Sequence, residues 1–307
     1  MHRFKNILCV VHPEESNSAV VHRASELASL HGTDLTLVHV FSENAADGTG
    51  RVLDSASEVR AALPSGSDNR MRRTTDKNVI VGDVESKSIY DIPSDDIVKQ
   101  VISGNHDLLI KSVENTDNGS SRLNALDKRL LRECPCPVWF FKSGCSDKHE
   151  RILAAVDSDL NSSNAELNNL VLDFSTSLAT EEQAELHAVS SWAVPGEAAM
   201  RSRVGNVAIR RLVAGIRRSN MQWLRRITKP YARVGARFHV HLNKGKHNQA
   251  VMAEAKKRRL DLIVLGVGQR TGVSEFLFGT LAEQILSKAN CSVLAVKPKT
   301  LASAIDA

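Results

Sequence analysis

Three apolar segments occur twice in this chain, in the same order and at nearly constant separation. The segments that begin at residues 6, 106 and 136 return at residues 151, 260 and 291, with offsets of 145, 154 and 155 residues. Such ordered recurrence indicates a tandem duplication with roughly 150 residues in each copy. The small, polar stretch 143–149 has no periodic apolar residues and separates the copies. We therefore predict one domain at 1–144 and a second at 147–300.

Within each copy, short apolar runs alternate with longer segments of helical periodicity. The predicted strands are 6–11, 35–41, 78–82, 107–111 and 137–142 in the first copy, and 151–156, 185–190, 237–242, 261–265 and 292–296 in the second. The predicted helices of the first copy are 16–30, 51–63, 92–102 and 123–132. Strands that alternate with helices favour right-handed β-α-β units. The predicted fold class is therefore α/β, with two tandem, open, five-stranded parallel sheets of Rossmann-like type.

Composition argues against a disordered chain, a membrane-spanning protein and a disulfide scaffold. Its 42% hydrophobic residues are enough to build a core, and no apolar run reaches the length of a membrane-spanning helix. The first residues are expected to form a strand and not a signal peptide. Five cysteines without framework spacing argue against a disulfide scaffold, and Cys134 and Cys136 are expected to be structural because no second pair accompanies them. We therefore expect a cytoplasmic protein.

Charge is distributed very unevenly along the second copy. No Asp or Glu occurs between Glu197 and Glu254. The same stretch carries thirteen basic residues, at positions 201, 203, 210, 211, 217, 218, 225, 226, 229, 233, 237, 244 and 246. Arginines that recur every seven residues form a stripe on a helix, and we predict a basic helix within 201–246. Such a stripe is either a solvated or docked face, or a surface that binds nucleic acid or anionic lipid.

A glycine-rich loop follows a predicted strand in the second copy. Gly266, Gly268 and Gly272 permit positive φ angles and close approach of the backbone to a ligand. Thr280 is predicted to cap the next helix, whose N-terminal amides favour an anion, and Arg270 adds a positive charge. In open parallel sheets, ligands bind beyond the carboxyl ends of the strands. The loop therefore predicts phosphate or nucleotide binding, with a plain surface loop as the alternative.

The second copy resembles the universal stress protein family, in its tandem two-domain type. The resemblance rests on the sequence from Asp261 to Gly266, the glycine-rich loop, Gly279-Thr280 and the final apolar strand. The resemblance implies an adenine nucleotide alpha hydrolase-like fold. Nucleotide-binding members carry glycine, two residues, glycine, nine residues, glycine, and then Ser or Thr. Gly266, Gly279 and Thr280 keep the outer frame of this motif, whereas Gln269 stands at the inner glycine position and Gly268 lies one residue earlier.

Further roles follow from the resemblance alone. It implies ATP or another adenine nucleotide as the ligand, with no metal beyond nucleotide-bound Mg²⁺. Asp157 would contact the nucleoside, although a turn aspartate that caps the next helix is an equal alternative. Val189 would offer backbone contact to adenine, unless it is simply a core valine. The resemblance also implies that the apolar last strands 137–142 and 292–296 pair with each other, so that the two domains form an internal pseudo-dimer. Association of two chains into a homodimer is a further expectation.

The first copy lacks this set of residues. His12 stands where the second copy has Asp157, and Gly119 is the single glycine of the stretch that replaces the loop. Asn124 and Ala125 align with Gly279 and Thr280. A loop with one glycine cannot bring several amides near a phosphate without strain. We therefore predict that the first copy has a degenerate site.

Enzyme signatures are weak in this sequence. No Ser-His-Asp order, glycosidase carboxylate pair or nucleophile elbow stands out. His239 and His241 alternate on one predicted strand and should face the same side. They could ligate a metal, but no Cys or carboxylate cluster accompanies them in the sequence, so surface or partly buried histidines are favoured. The predicted function is a cytoplasmic stress-response protein that binds a small ligand in the second domain. The alternatives are an apolar ligand, slow ATP hydrolysis or autophosphorylation at Thr280, and the polyanion binder described above.

Overall fold

The computed structural model describes residues 4–11, 18–41, 84–90, 93–115, 121–142, 148–158, 162–233, 237–268 and 280–298. Contacts among them divide the chain into two compact units, one from the first half and one from 148–298. The predicted domain boundaries at 144 and 147 lie outside the described residues. The pseudo-dimer formed by the two last strands stays a prediction. None of the described helices has the length and apolar character needed to cross a bilayer.

The first unit is a parallel sheet flanked by helices. Its strands are β1 (Asn6–Val11), β2 (Asp34–Phe41), β3 (Val84–Tyr90), β4 (Leu108–Asn115), β5 (Ser121–Arg122) and β6 (Val138–Lys142). Its described helices are α1 (Ser18–His31), α2 (Pro93–Ser103) and α3 (Ala125–Glu133). The strand order is β3-β2-β1-β4-β6, and β5 pairs antiparallel with β4 as a short side branch. This order confirms the predicted open parallel sheet.

The first unit contains a strand, β3, that the sequence pattern did not predict. It lies at Val84–Tyr90, whereas the predicted strand 78–82 and the predicted helix 51–63 fall outside the described residues. The sequence of β3 has several polar residues and no continuous apolar run. It pairs with β2 at one end of the strand order, and such a strand can be less apolar than a central one.

The second unit repeats the arrangement. Its strands are β7 (Arg151–Ala155), β8 (Glu185–Trp192), β9 (Phe238–Lys244), β10 (Leu262–Gly266) and β11 (Ser292–Val296). Its described helices are α4 (Ser162–Glu182), α5 (Glu197–Val204), α6 (Asn206–Thr228), α7 (His247–Arg258) and α8 (Thr280–Lys288), with a 3₁₀ turn at Tyr231–Arg233. The strand order within the unit is β9-β8-β7-β10-β11, with parallel pairing throughout.

The basic segment 201–246 is not one helix, which corrects the sequence prediction. Gly205 has a φ of 80° and separates α5 from α6. This left-handed conformation is accessible to glycine at little cost and interrupts the helical path. Pro230 follows the end of α6, and the chain then enters β9. The arginine stripe of residues 210–226 therefore lies on α6 alone.

A repeated aspartate explains one of the sequence landmarks. The Asp107 carboxylate accepts hydrogen bonds from the backbone N–H groups of Lys5 (2.8 Å) and Asn6 (3.1 Å). Asp261 accepts from the N–H groups of Glu150 and Arg151, each at 2.9 Å. In both units this aspartate, just before the fourth main strand, holds the start of the first strand. The landmark therefore has a structural role in both units.

Candidate functional site

The second unit has a topological switch point between β7 and β10. From β7 the chain passes through α4 to β8 on one side, and from β10 it passes to α8 and β11 on the other. The two connections diverge and leave a crevice outside the carboxyl ends of the two strands. Crevices of this kind are the usual ligand sites of open α/β sheets.

A cavity of about 380 Å³ lies at this switch point. Its apolar walls are Ala155, Leu167, Val171, Leu265, Val267, Leu281, Ala282 and Ile285. Its polar lining is Asp157, Asn168, Lys246, His247, Asn248 and Gln284, and Gly266 and Gly268 complete it. An apolar cavity of a few hundred Å³ with a few convergent polar groups is typical of small-molecule sites.

Asp157 lies directly after β7, and its backbone is fixed by Asn168 of α4. The Asp157 N–H donates to Asn168 Oδ1 at 2.9 Å, and Asn168 Nδ2 donates to the Asp157 carbonyl at 2.8 Å. These two bonds hold the residue at the cavity, where its side chain is partly exposed. The predicted position of Asp157 at a ligand site thus agrees with the geometry, while its role in nucleoside contact stays a prediction.

Gly266 and Gly268 also line the cavity, but for a different reason from the one predicted. Neither has a left-handed φ angle. A Cβ atom on Gly266 would collide with the Leu167 side chain of α4, and one on Gly268 would lie 3.1 Å from Leu167 Cδ2. Glycine is needed here because α4 packs closely against the end of β10, and neither residue uses the positive φ angles that glycine permits.

Beyond Gly268, the structure describes the chain again only from Thr280. Gln269, Arg270, Gly272 and Gly279 lie outside the described residues, so their predicted roles stay predictions. Thr280 belongs to α8, and the residues directly before it lie outside the described residues, so its predicted role as the helix cap stays a prediction. The first turn of α8 does line the cavity, through its second and third residues.

Val189 lies in the interior of β8 and is fully buried. Its carbonyl accepts a hydrogen bond from the Val156 N–H at 2.9 Å, and it is not among the residues that line the cavity. This position agrees with a core valine, and backbone contact with adenine stays a prediction.

Several residues that line the cavity were not predicted from the sequence. Lys246, His247 and Asn248 bring the N-terminal end of α7 to the cavity, and Lys246 is exposed. Lys246 was counted only as part of the basic segment, although its position directly before a helix was a usable signal. The positive end of a helix together with an ammonium group favours an anion at this side of the cavity.

In the first unit, the corresponding region contains a buried ion pair. Lys111 Nζ lies 2.8 Å from Asp127 Oδ1, and the two side chains are 2% and 1% exposed. Lys111 also donates to the Ser112 carbonyl at 2.9 Å. Asp127 forms a capping box with Asn124, the residue before α3. Both charges are therefore held in place by further hydrogen bonds.

This ion pair occupies positions that belong to the cavity in the second unit. Strand pairing puts β4 and β10 in the same register against the first strand of their own unit. Lys111 and Leu265 are the fourth residues of these strands, and Asp127 and Ala282 are the third residues of α3 and α8. Leu265 and Ala282 line the cavity. The first unit thus carries two charged side chains where the second has cavity walls, which supports the prediction that the site of the first unit is degenerate. His12 and Gly119, on which that prediction also rested, lie outside the described residues.

The arginines of α6 form a solvent-exposed face. All six of them are exposed: Arg210, Arg211, Arg217, Arg218, Arg225 and Arg226. The buried residues of this 23-residue helix are Ile209, Leu224 and Thr228. Within the described part of the chain, none of the six lies within ion-pair distance of a carboxylate. We call these six residues the arginine face.

Three histidines cluster on β8 and β9. His239 and His241 share a face, as predicted, and they stack with His187 at ring-centroid distances of 4.8 and 5.3 Å. Burial is the main factor that lowers the pKa of His187, to about 4, and the neighbouring histidines lower it further. His187 was not identified from the sequence, because it lies 52 residues before His239 and becomes its neighbour only through strand pairing.

Comparison with known proteins gives a consistent family assignment. The model of the family described as "Universal stress protein family" matches residues 3–142 and 148–297. The chain is 25% identical over 306 residues to Universal stress protein E of Photorhabdus laumondii, covering 97% of this chain and 96% of that protein. It is 31% identical over 221 residues to Universal stress protein E of Escherichia coli K12, covering 67% of this chain and 65% of that protein.

A solved structure supports the fold. The crystal structure of a functionally unknown protein, PA1789 of Pseudomonas aeruginosa PAO1, aligns with a TM-score of 0.72 at 20% identity. The alignment covers 99% of this chain and 96% of that one. Two consecutive matches to the family model, on two units of the same strand order, show that the chain belongs to the universal stress protein family.

Proposed function

We propose that the second unit binds an adenine nucleotide in the cavity at the β7–β10 switch point. The observation that supports this most strongly is the cavity itself, at the carboxyl ends of these strands and beside the first turns of α7 and α8. Its volume of about 380 Å³ is in the range of small-molecule sites. Gly266, the first residue of the family frame, lines this cavity. Gly279 and Thr280 complete the frame in the sequence.

In this proposal, different parts of the cavity recognise different parts of the ligand. The apolar walls pack against the adenine base, and the Asp157 carboxylate accepts hydrogen bonds from the ribose hydroxyls. Lys246 and the N-terminal ends of α7 and α8 attract the phosphates. Residues 269–279 would complete the phosphate site in the manner of the family motif, with Gln269 at the inner glycine position.

The proposed role is a stress-response protein that senses or carries the nucleotide. Slow ATP hydrolysis or autophosphorylation at Thr280 is the enzymatic alternative, and release of inorganic phosphate during incubation with ATP distinguishes it from binding alone. An apolar ligand is the other alternative, since much of the lining is aliphatic. Mass spectrometry of small molecules released from the denatured protein distinguishes a nucleotide from a lipid.

Replacing Asp157 with alanine is expected to weaken adenine nucleotide binding by about ten- to hundredfold, the loss that accompanies removal of a charged hydrogen-bond acceptor. Calorimetry with ATP, ADP and AMP measures the effect, and Asp96→Ala serves as the control because Asp96 is an exposed carboxylate of the first unit. Equal affinities for the wild type and Asp157→Ala would remove Asp157 from the site.

A second candidate function follows from the arginine face. Six exposed guanidinium groups lie on one helix in a segment of 56 residues without any acidic residue, from 198 to 253. This concentration of positive charge favours a polyanion such as nucleic acid, which releases counterions when it is bound. The two functions use different surfaces, because none of the six arginines lines the cavity.

Changing Arg210, Arg211, Arg217 and Arg218 together to glutamine is expected to weaken binding to DNA or heparin and to flatten its dependence on salt. Each lost phosphate contact lowers the slope of log affinity against log salt by about one. Elution from heparin and titration of labelled DNA at several salt concentrations measure this. If the wild-type protein shows no salt-sensitive binding, the arginine face is only a solvated surface.

A further inference from the structure

An acidic residue and three histidines meet on one face of the β8–β9 strand pair. We propose that Glu185, His187 and His239 bind a divalent transition metal ion of the zinc class, and that His241 orients His187. Glu185, His187 and His239 form a group whose ligand atoms all lie within 4.8 Å of one another. None of the four residues lines the nucleotide cavity, so the site is a separate one.

Strand register brings these residues together. In the parallel pairing of β8 with β9, His187 lies opposite His239, and His241 is two residues farther along. Side chains two residues apart on a strand point to the same face, which puts Glu185 beside His187 and His241 beside His239. The strand β9 lies at the end of the strand order of its unit, and the His239 side chain is 44% exposed. An ion can therefore reach the group from solvent.

The two oxygens of Glu185 have different neighbours. Oε1 accepts a hydrogen bond from Arg237 at 3.3 Å. Oε2 lies 3.6 Å from His187 Nε2 and 4.0 Å from His239 Nε2, which is too long for hydrogen bonds. Around one tetrahedral zinc ion, ligand atoms are separated by roughly 3.3–3.6 Å, given metal–ligand bonds of about 2.0–2.2 Å. Small rotations of the partly exposed Glu185 and His239 side chains would bring the three atoms to that spacing.

His187 is prepared as a ligand by its neighbour. It is 2% exposed, and its Nδ1 lies 3.0 Å from His241 Nε2. Its Nε2 is buried and makes no hydrogen bond. When Nδ1 carries the proton and donates a hydrogen bond to His241 Nε2, the lone pair of His187 Nε2, which lies 3.6 Å from Glu185 Oε2, is available to a metal ion. Metal-binding histidines usually donate their second ring N–H to a fixed acceptor in this way, which sets the tautomer and the ring orientation.

The ligand types indicate the class of metal ion. Two imidazole nitrogens and one carboxylate oxygen suit Zn²⁺ and neighbouring ions such as Co²⁺ and Ni²⁺, whereas Mg²⁺ and Ca²⁺ prefer oxygen ligands alone. Three protein ligands leave one tetrahedral position for water. Positive side chains near the site would repel a metal ion. Arg258 pairs with Glu254 at 3.0 Å, and Arg237 pairs with Glu185 Oε1, so both of these positive charges are partly neutralised.

The test uses the full-length, untagged protein without nucleotide. Calorimetry with Zn²⁺ should give one high-affinity ion per chain, and Co²⁺ should produce visible absorption bands without a thiolate charge-transfer band, since no cysteine is a ligand. We expect His239→Ala and Glu185→Gln each to weaken Zn²⁺ binding by at least about tenfold, and His241→Ala by about ten- to hundredfold. His239 and Glu185 are partly exposed, so circular dichroism should show that both variants fold.

The matched control is His22→Ala, which removes an exposed histidine near a glutamate in the first unit, at 3.8 Å from Glu26. This variant should bind Zn²⁺ as the wild type does. Absence of Zn²⁺ and Co²⁺ binding overturns the proposal. So does an unchanged affinity in His239→Ala or in Glu185→Gln, or an equal loss in His22→Ala.

Discussion

Replacing Lys111 with leucine is expected to lower the free energy of unfolding of the first unit by about 3–5 kcal/mol, the cost of leaving one member of a buried ion pair without its partner. The remaining Asp127 carboxylate is 1% exposed, so water cannot replace the lost ammonium group. The large effect arises although a buried ion pair as a whole contributes little net stability, because desolvation offsets most of its attraction.

Two variants test this explanation. Lys111→Leu combined with Asp127→Ala reproduces the residues that the second unit has at these positions and removes both charges. This double variant should recover most of the lost free energy of unfolding. A deficit of about 1 kcal/mol should remain, because Asp127→Ala also removes the capping box of α3. Lys99→Leu, which removes an exposed lysine 3.2 Å from Asp96, should change stability little. Hydrogen exchange of amides in β4 and α3 measures the first unit separately from the second. A double variant as unstable as the single one would contradict the ion-pair account.

Enlarging Ala282 to leucine is expected to reduce adenine nucleotide binding by at least about tenfold, because added side-chain volume takes space that the ligand needs. Ala282 lies in the first turn of α8 and lines the cavity. Stability should fall by no more than about 1–3 kcal/mol, the cost of inserting methylene groups into a packed site, and less if the side chain extends into the cavity. Calorimetry reports the binding, and thermal unfolding reports the stability.

The control for this variant is Ala208→Leu, which makes the same change at an exposed position of α6. It should leave nucleotide affinity unaltered. If Ala282→Leu binds as tightly as the wild type and is equally stable, the ligand does not occupy this cavity.

The fold could be predicted because its signals are local and occur twice. Apolar strands, the helical periodicity between them and the recurring Asp107 and Asp261 all lie within short stretches of sequence. The β3 strand was missed because its sequence has no apolar run, and strand pairing with β2 determines its position. The division of the basic segment at Gly205 was missed because the spacing of the arginines continues on both sides of the break.

The candidate site could be predicted only in part, because five separate segments of the chain build it. Asp157 and Gly266 were found from their places at strand ends, where parallel strands bring residues to one edge. Asn168 and Lys246 reach the same cavity from α4 and α7, and nothing in their local sequence indicates the helix packing that puts them there. The need for glycine at Gly266 likewise comes from Leu167, which is about 100 residues away in the chain. Tertiary contacts of this kind are visible only in three dimensions.

The central claim is that the second unit binds an adenine nucleotide at a site that the first unit lacks. Calorimetric titration of the wild-type chain with ATP, ADP and AMP tests it most directly, with Ala282→Leu titrated in parallel. We predict one binding site per chain for at least one of these nucleotides, and loss of that site in the variant. No measurable binding at millimolar concentrations, or two equivalent sites per chain, would contradict the account.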